Sequence, residues 1–307
     1  MGLRIQTNVQ SIFSQRQLGL STARLNSHLE KLASGSRINK AADDAAGLAI
    51  SENLRSEVRG MQQARRNAQD GISLVQTAEG GLNEITNILS RLRELSVQSA
   101  SDTIGPTERG FLQKEFSALK NEIDRIANSS DFNGTKLLTG RTQFPSEIEF
   151  KGNPPPLEIQ VGPDWNPLLD GRDQQNPVNI IRVDLQDINA LTEGPDSLEI
   201  GNAENPDGAR VDTKEMAQMS MEKLDKAIEK VNSHRASLGA IQNRLQSAVN
   251  NLGIRIENLD AAKSRIKDAD FAEETAGMTQ QQILQQAGVA VLSQSNQLPQ
   301  LALKLLG

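Results

Sequence analysis

The most regular feature of the chain is a stripe of apolar and small residues that begins at Leu54 and ends at Leu95. It advances in steps of three or four residues without a proline, which predicts one face of a single long α-helix. A second stripe with the same spacing runs from Leu224 to Leu259, with one gap near Arg235. Two such stripes far apart in sequence can bury each other as antiparallel partners. The pattern predicts a mainly α fold, a long antiparallel helical coiled-coil rod with both chain ends on one side.

The middle of the chain has a different pattern. Nine of the eleven prolines lie between Pro145 and Pro206, and proline interrupts helices because it lacks a backbone donor. Short alternations of apolar and polar residues bounded by Gly, Pro, Asn and Asp occur at 147–150, 157–161 and 179–185, which is typical of short strands. We therefore expect a small β-hairpin region at the chain middle.

Local signals mark the ends of the helices. Asp43 or Asp44 can cap the long helix that follows. Gly105-Pro106 lies in a predicted turn at 101–107, and a shorter amphipathic helix follows from 112 to 126. Asn133-Gly134 is a strong signal for a tight turn. These boundaries divide the chain into terminal helices (1–44 and 260–307), a helical rod domain (45–140 and 210–259) and a β-hairpin and loop part of that domain (141–209).

Composition narrows the classes of function. Aromatic residues make up only 3% of the 307 residues, which suits thin seams between long helices better than a compact core. The net charge is −6, and no basic block stands out, which argues against nucleic acid as a partner. The chain has no cysteine, which excludes disulfides and thiolate metal sites.

Both ends of the chain contain long stretches without a charged residue, at 5–15 and at 275–303. The second stretch could suggest a transmembrane helix, but its eight glutamines would be costly in hydrocarbon. Two interpretations remain: a terminal helix buried on its own rod, or a helix that packs against copies of itself without crowding like charges. The second makes the apolar residues of these ends candidates for self-assembly, namely Ile5, Val9, Ile12, Leu284, Val291, Leu298, Leu301 and Leu305.

Several segments at both ends resemble the N- and C-terminal signatures of bacterial flagellin. The resemblance covers roughly residues 3–140 and 210–307, and it is carried by residues 32–50, 66–73, 238–245, 264–271, 283–288 and 294–300. It implies a structural subunit that self-assembles into the flagellar filament for swimming motility, with the terminal helices forming the inner tube. The chain is too short for the outer domains of larger flagellins, so it resembles a minimal form.

The same resemblance implies partners and a location. The partners are other copies of the chain in a helical homopolymer, the flagellar export apparatus and an export chaperone, and the hook–filament junction and cap proteins. The location is the extracellular flagellum, reached without a cleaved signal peptide, and the N-terminus indeed lacks a basic-then-apolar signal. We expect no nucleic acid and no membrane as partners.

The sequence gives little support to an enzyme. The two histidines, His28 and His234, lie on different helical segments without neighbouring ligand residues, and no His-Glu-x-x-His motif is present. We therefore expect no catalytic residue, no metal site and no cofactor. Two structural alternatives stay open: a flagellin-like hook–filament junction protein, and a monomeric coiled-coil adaptor.

The resemblance also implies a surface that host Toll-like receptor 5 can bind. The family's determinant matches residues 90–95, and Glu115 on the next helix is a helper. Arg91 and Leu95 are four residues apart and share one helix face, and an arginine beside an apolar side chain is a common hot-spot pairing. The alternative is that Leu95 continues the buried stripe and that Arg91 is a solvated flank.

Overall fold

The computed structural model describes residues 8–140, 156–165, 177–185, 188–193, 197–202 and 208–306, with the backbone alone for 298–306. The described part contains five helices and four short strands. The helices are α1 (Val9–Ser34), α2 (Ala45–Ser99), α3 (Pro106–Ser129), α4 (Lys214–Lys267) and α5 (Phe271–Leu306), and the strands are β1 (Asp131–Phe132), β2 (Thr135–Lys136), β3 (Leu157–Gln160) and β4 (Ile180–Val183). The predicted mainly α fold with a small hairpin region is confirmed. The candidate strand at 147–150 lies outside the described residues.

The chain forms two compact units. The first unit combines Met1–Val58 with Glu257–Gly307, and the second comprises Arg59–Ile256. Both long helices, α2 and α4, contribute residues to both units. The boundaries between the two units therefore fall inside these helices. The predicted three-part division of the chain stays a prediction.

The core of the second unit lies between α2, α3 and α4. Leu82, Ile85, Leu89 and Leu92 of α2 are completely buried, which confirms the burial predicted from the stripe. The same apolar cluster contains Phe116 and Ile123 of α3 and Leu224, Val231 and Leu238 of α4. The periodic spacing of apolar residues in three helices thus produces one continuous core.

Two contacts show that α2 and α4 run antiparallel within this unit. Near the end of α2, Arg93 Nε lies 2.6 Å from Asp225 Oδ1. Earlier in α2, Gly71 lies next to Leu245 of α4: a Cβ atom added at Gly71 would be 3.4 Å from Leu245 Cδ1. The same Cβ would be only 2.5 Å from Ile159 Cδ1 of β3. The missing side chain of Gly71 therefore lets strand β3 approach α2 closely.

The strands form two antiparallel hairpin-like pairs. In the first, Asn133 and Gly134 link β1 to β2 with φ values of 50° and 81°, as a two-residue turn of type I′ requires. In the second, Ile159 pairs with Ile181 and faces the core, while Glu158 and Arg182 pair on the other face. The strands predicted at 157–161 and 179–185 are confirmed with slightly shorter bounds.

Among the described residues of the second unit, one charged side chain is buried. Lys120 of α3 is only 2% exposed, and its Nζ donates a hydrogen bond of 3.1 Å to the carbonyl of Ala209. Burial lowers the pKa of Lys120 to about 8, against the opposing effect of Asp124. The lysine thus fastens the segment that leads into α4 at the cost of desolvating its ammonium group.

Two aspartates fix the loop before α2, each in a different way. Asp44 Oδ1 accepts a hydrogen bond of 2.9 Å from the backbone N–H of Gly47 and so caps α2. Asp43 Oδ2 accepts from the N–H groups of Lys40 and Asn39, and these bonds lower the pKa of Asp43. Of the two predicted capping residues, Asp44 is therefore the cap.

Candidate assembly surface

Helices α1 and α5 are held as an antiparallel pair by polar contacts along their length. Asn8 Nδ2 donates to the carbonyl of Ser295 (2.9 Å), and Ser11 Oγ contacts Asn296 Oδ1 (2.9 Å). Further along, Gln285 Nε2 lies 3.4 Å from Thr22 Oγ1. The seam relies on side-chain amides and hydroxyls at these positions, which explains in part why these helices are rich in glutamine, asparagine and serine.

Charged side chains join the two helices near the C-terminal end of α1 and the N-terminal end of α5. Glu274 of α5 is 8% exposed, and its Oε2 lies 2.5 Å from His28 Nδ1 while its Oε1 lies 3.2 Å from Lys31 Nζ. Burial disfavours the charged carboxylate, but the hydrogen bonds from His28 and Lys31 outweigh this effect and lower the pKa of Glu274. The two α1 side chains thus keep a nearly buried carboxylate ionised.

Backbone hydrogen bonds join the two non-helical segments that precede α2 and α5. The N–H of Arg37 donates to the carbonyl of Lys267 (2.7 Å), and the N–H of Ala269 donates to the carbonyl of Gly35 (3.0 Å). The guanidinium of Arg37 also donates to the carbonyl of Ile266 (2.8 Å). These bonds satisfy carbonyl groups that the end of a helix leaves open, so both breaks are fixed relative to each other.

The α1–α5 pair leaves many large apolar side chains on its surface. Val9 and Ile12 of α1 are 63% and 59% exposed, and Leu284 and Val291 of α5 are 46% and 57% exposed. Scattered exposed apolar residues are common, but a concentration on two paired helices indicates a surface that another molecule covers. We call the exposed apolar side chains of α1 and α5 the assembly surface.

The assembly surface is larger than the set of residues predicted from the sequence. It also includes Phe13, Leu20, Leu29, Phe271, Ile283 and Val289. Four of these lie inside the charge-free stretches or within one turn of them, so the absence of charge was the signal that could have found them. Ile5 and the side chains of Leu298, Leu301 and Leu305 lie outside the described side chains, and their part in assembly stays a prediction.

The predicted receptor residues lie in the second unit. Arg91 is half exposed, and its guanidinium nitrogens lie 3.0 Å from Glu94 Oε2 and 3.0 Å from Glu115 Oε1. Hydrogen bonds with Glu94 and Glu115 raise the pKa of Arg91. Leu95 is completely buried, because it continues the core stripe of α2. Its burial corrects the assignment of Leu95 to an accessible contact, so a receptor surface here would consist of Arg91 and Glu115.

The described residues offer neither a metal site nor a membrane span. Within them, no group of three or more His, Asp or Glu side chains is arranged to hold a metal ion. None of the described helices is both long and apolar enough to cross a membrane.

Comparison with known proteins agrees with this geometry. A family model described as the bacterial flagellin N-terminal helical region matches residues 5–143, and one described as the bacterial flagellin C-terminal helical region matches residues 221–306. The flagellar filament 33 kDa core protein of Treponema phagedenis is 41% identical over 302 residues, which cover 98% of this chain and 99% of that protein.

A second full-length relative agrees with these matches. The flagellin of Bacillus subtilis (strain 168) is 39% identical over 322 residues, covering 99% of this chain and all of that protein. The crystal structure of Bacillus cereus flagellin is 29% identical, with a TM-score of 0.44 over 61% of this chain and 88% of that chain. Because the family models match more than half of the chain and these full-length relatives match nearly all of it, the chain belongs to the bacterial flagellin family.

Proposed function

We propose that the chain is a structural subunit that self-assembles into the bacterial flagellar filament. Membership of the flagellin family supports this role, and the Treponema phagedenis relative is a flagellar filament core protein. The family is structural, which fits a chain that acts by assembling and has no catalytic role. The extracellular flagellum is then the location of the chain.

The observation that carries the proposal is the assembly surface itself. Val9, Ile12, Leu284 and Val291 are all about half exposed or more, although covering the exposed half of each would be favourable by roughly 1 kcal/mol. The charge-free stretches at 5–15 and 275–303 allow identical copies to meet there without repulsion between like charges. Copies of the chain are therefore the partner that this surface fits best.

A substitution on the assembly surface tests the role directly. Val291→Asp places a charge where copies would meet, and an unpaired buried charge is costly, so the variant should stay monomeric in sedimentation after seeding with filament fragments. Val291→Thr is the matched control, because threonine has nearly the same shape without a charge, and it should still form long particles. Equal polymerisation of both variants would show that this surface is not buried between copies.

Two alternatives make different predictions. A monomeric coiled-coil adaptor would remain small under all conditions, including after seeding. A hook–filament junction protein would add to filament ends without extending them into long polymers. The length of the seeded product therefore separates all three roles.

The further partners follow from the resemblance to flagellin. They are the export apparatus, an export chaperone, and the cap and hook–filament junction proteins, and export proceeds without a cleaved signal peptide. Co-purification of the chain with a flagellar export chaperone from the same bacterium would test the first of these contacts. Failure of the full-length chain to leave a cell with an intact export apparatus would contradict the export route.

The proposal extends to host recognition through two exposed charged groups. Arg91 and Glu115 form one charged patch across α2 and α3, and arginines are enriched among residues that dominate binding. We propose that Toll-like receptor 5 binds this patch on the monomer. Arg91→Ala and Glu115→Ala should each weaken receptor-reporter signalling, while Arg125→Ala, which removes another exposed ion pair of α3, should not. Equal signalling by all three variants and the wild type would rule out the patch.

A further inference from the structure

The sulfur atoms of this chain are concentrated near the start of α4. The chain has no cysteine and six methionines, and three of the methionines, Met216, Met219 and Met221, lie within six consecutive residues. Met216 and Met219 are 40% and 59% exposed. They are three residues apart and therefore lie on the same face of the helix. We call Met216 and Met219 the thioether pair.

The first turns of α4, which contain the thioether pair, are fixed by hydrogen bonds and by packing. Thr213 Oγ1 accepts a hydrogen bond of 3.3 Å from the backbone N–H of Met216. Ser220 Oγ accepts from the N–H of Arg210 (2.8 Å) and donates to the carbonyl of the same residue (2.7 Å). Ala217, which lies between the two methionines in sequence, is completely buried. The two thioethers are therefore exposed on a helix whose other face is anchored in the second unit.

Met61 of α2 is in the opposite environment, because its side chain is completely buried. Oxidation turns a flexible apolar methionine into a polar sulfoxide, and a buried polar group without a hydrogen-bond partner is costly. A sulfoxide at Met61 would therefore disturb the packing around α2. Sulfoxides at the thioether pair would instead be solvated, so the same chemical change has no such cost there.

We propose that Met216 and Met219 form a reversible oxidation site that accepts oxygen from peroxides while the fold is kept. A lone pair of the thioether sulfur attacks one oxygen of hydrogen peroxide, the O–O bond breaks and an S–O bond forms. The leaving hydroxide takes the proton of the transferred hydroxyl, so the sulfur is oxidised by two electrons and water is released. Methionine sulfoxide reductases reverse the change, with a dithiol that becomes a disulfide while the oxygen leaves as water. The setting rests on the proposed function, since a subunit of the extracellular flagellum meets oxidants outside the cell.

Oxidation of the purified full-length monomer, resolved by residue, tests the site without assembly. After timed exposure to excess hydrogen peroxide, peptide mass spectrometry should show that Met216 and Met219 each gain one oxygen at a rate within about threefold of free methionine, since susceptibility follows exposure. Met61 should react at least about tenfold more slowly, because peroxide reaches its sulfur only when α2 opens locally. Rates at the thioether pair as slow as the rate at Met61 would overturn the proposal.

The claim that the fold is kept needs a chain in which other accessible methionines do not react. The double variant Met221→Leu/Met278→Leu serves this purpose, because beyond Met1 it retains only the thioether pair and Met61. When the thioether pair is fully oxidised, the melting temperature of the second unit should lie within about 2 °C of its value before oxidation. A larger fall in melting temperature before Met61 has reacted would overturn the claim.

A matched variant and a reversal complete the test. Met216→Leu/Met219→Leu keeps side chains of similar size that peroxide does not oxidise, so it should fold as the wild type does and lack the two early oxygen atoms. Treatment of the oxidised wild type with both methionine sulfoxide reductases, one for each sulfoxide epimer, and a dithiol should restore the thioether pair. Sulfoxides that persist in the folded chain would overturn the reversibility. Because these measurements use the monomer, a failure to polymerise would contradict the filament role alone.

Discussion

Truncation of Leu89 is the most quantitative test of the helical core. Leu89 is completely buried and belongs to the apolar cluster formed by α2, α3 and α4. Leu89→Ala removes three carbon atoms from this site and leaves a cavity, because close-packed helices relax only in part. A change of this kind at a fully buried site costs about 2–5 kcal/mol of the free energy of unfolding. For a unit of this size, each kcal/mol lowers the melting temperature by about 2–4 °C.

The melting temperature of the second unit should therefore fall by about 4–20 °C in Leu89→Ala. Circular dichroism or calorimetry of the monomer would measure it, with guanidinium unfolding as a second method. Val97→Ala is the control on the same helix, since Val97 is 51% exposed and surface substitutions usually change stability by less than about 0.5 kcal/mol. If both variants melt at the wild-type temperature, the stripe of α2 is not the core described above.

Two further predictions concern polar groups. Burial lowers the pKa of Lys120 from 10.5 to about 8, so the unfolded chain binds this proton more tightly across that window. Between pH 8 and pH 10.5, the free energy of unfolding of the wild type should therefore rise with pH relative to that of Lys120→Met. Denaturant titrations at several pH values would measure both free energies. If the difference between wild type and variant does not change with pH, the reasoning is mistaken. Asp44→Ala removes the cap at Gly47 and should destabilise the start of α2 by about 0.5–2 kcal/mol, seen as faster amide exchange there, whereas Asp44→Asn should retain most of the protection.

The helices and the turns could be predicted because their signals are local. The spacing of Leu82, Ile85, Leu89 and Leu92 directly reports the buried face of α2, and the structure confirms their burial. Asn133-Gly134 likewise specifies its turn through the backbone conformations that these residues tolerate. Spacing alone could not decide between a core and a surface role for Leu95, because a residue at the edge of a stripe is compatible with both.

The polar contacts could not be predicted because they depend on residues far apart in sequence. His28 and Glu274 are separated by 246 positions, and nothing near either residue indicates the other. A lysine on an amphipathic helix is expected to face solvent, yet the segment at Ala209 covers Lys120 and buries it. The charge-free stretches did indicate where the assembly surface lies. Which of their side chains stay exposed, such as Phe13 and Ile283, depends on the faces through which α1 and α5 pair.

Electron microscopy of the purified full-length chain after seeding with short filament fragments tests the central claim most directly. The filament role predicts that the wild-type chain extends the seeds into long, regular filaments, and that a chain lacking residues 275–307 does not, although it remains soluble and helical. Wild-type protein that leaves the seeds at their original length would contradict the role. Normal filaments from the truncated chain would contradict the assignment of assembly to the terminal helices.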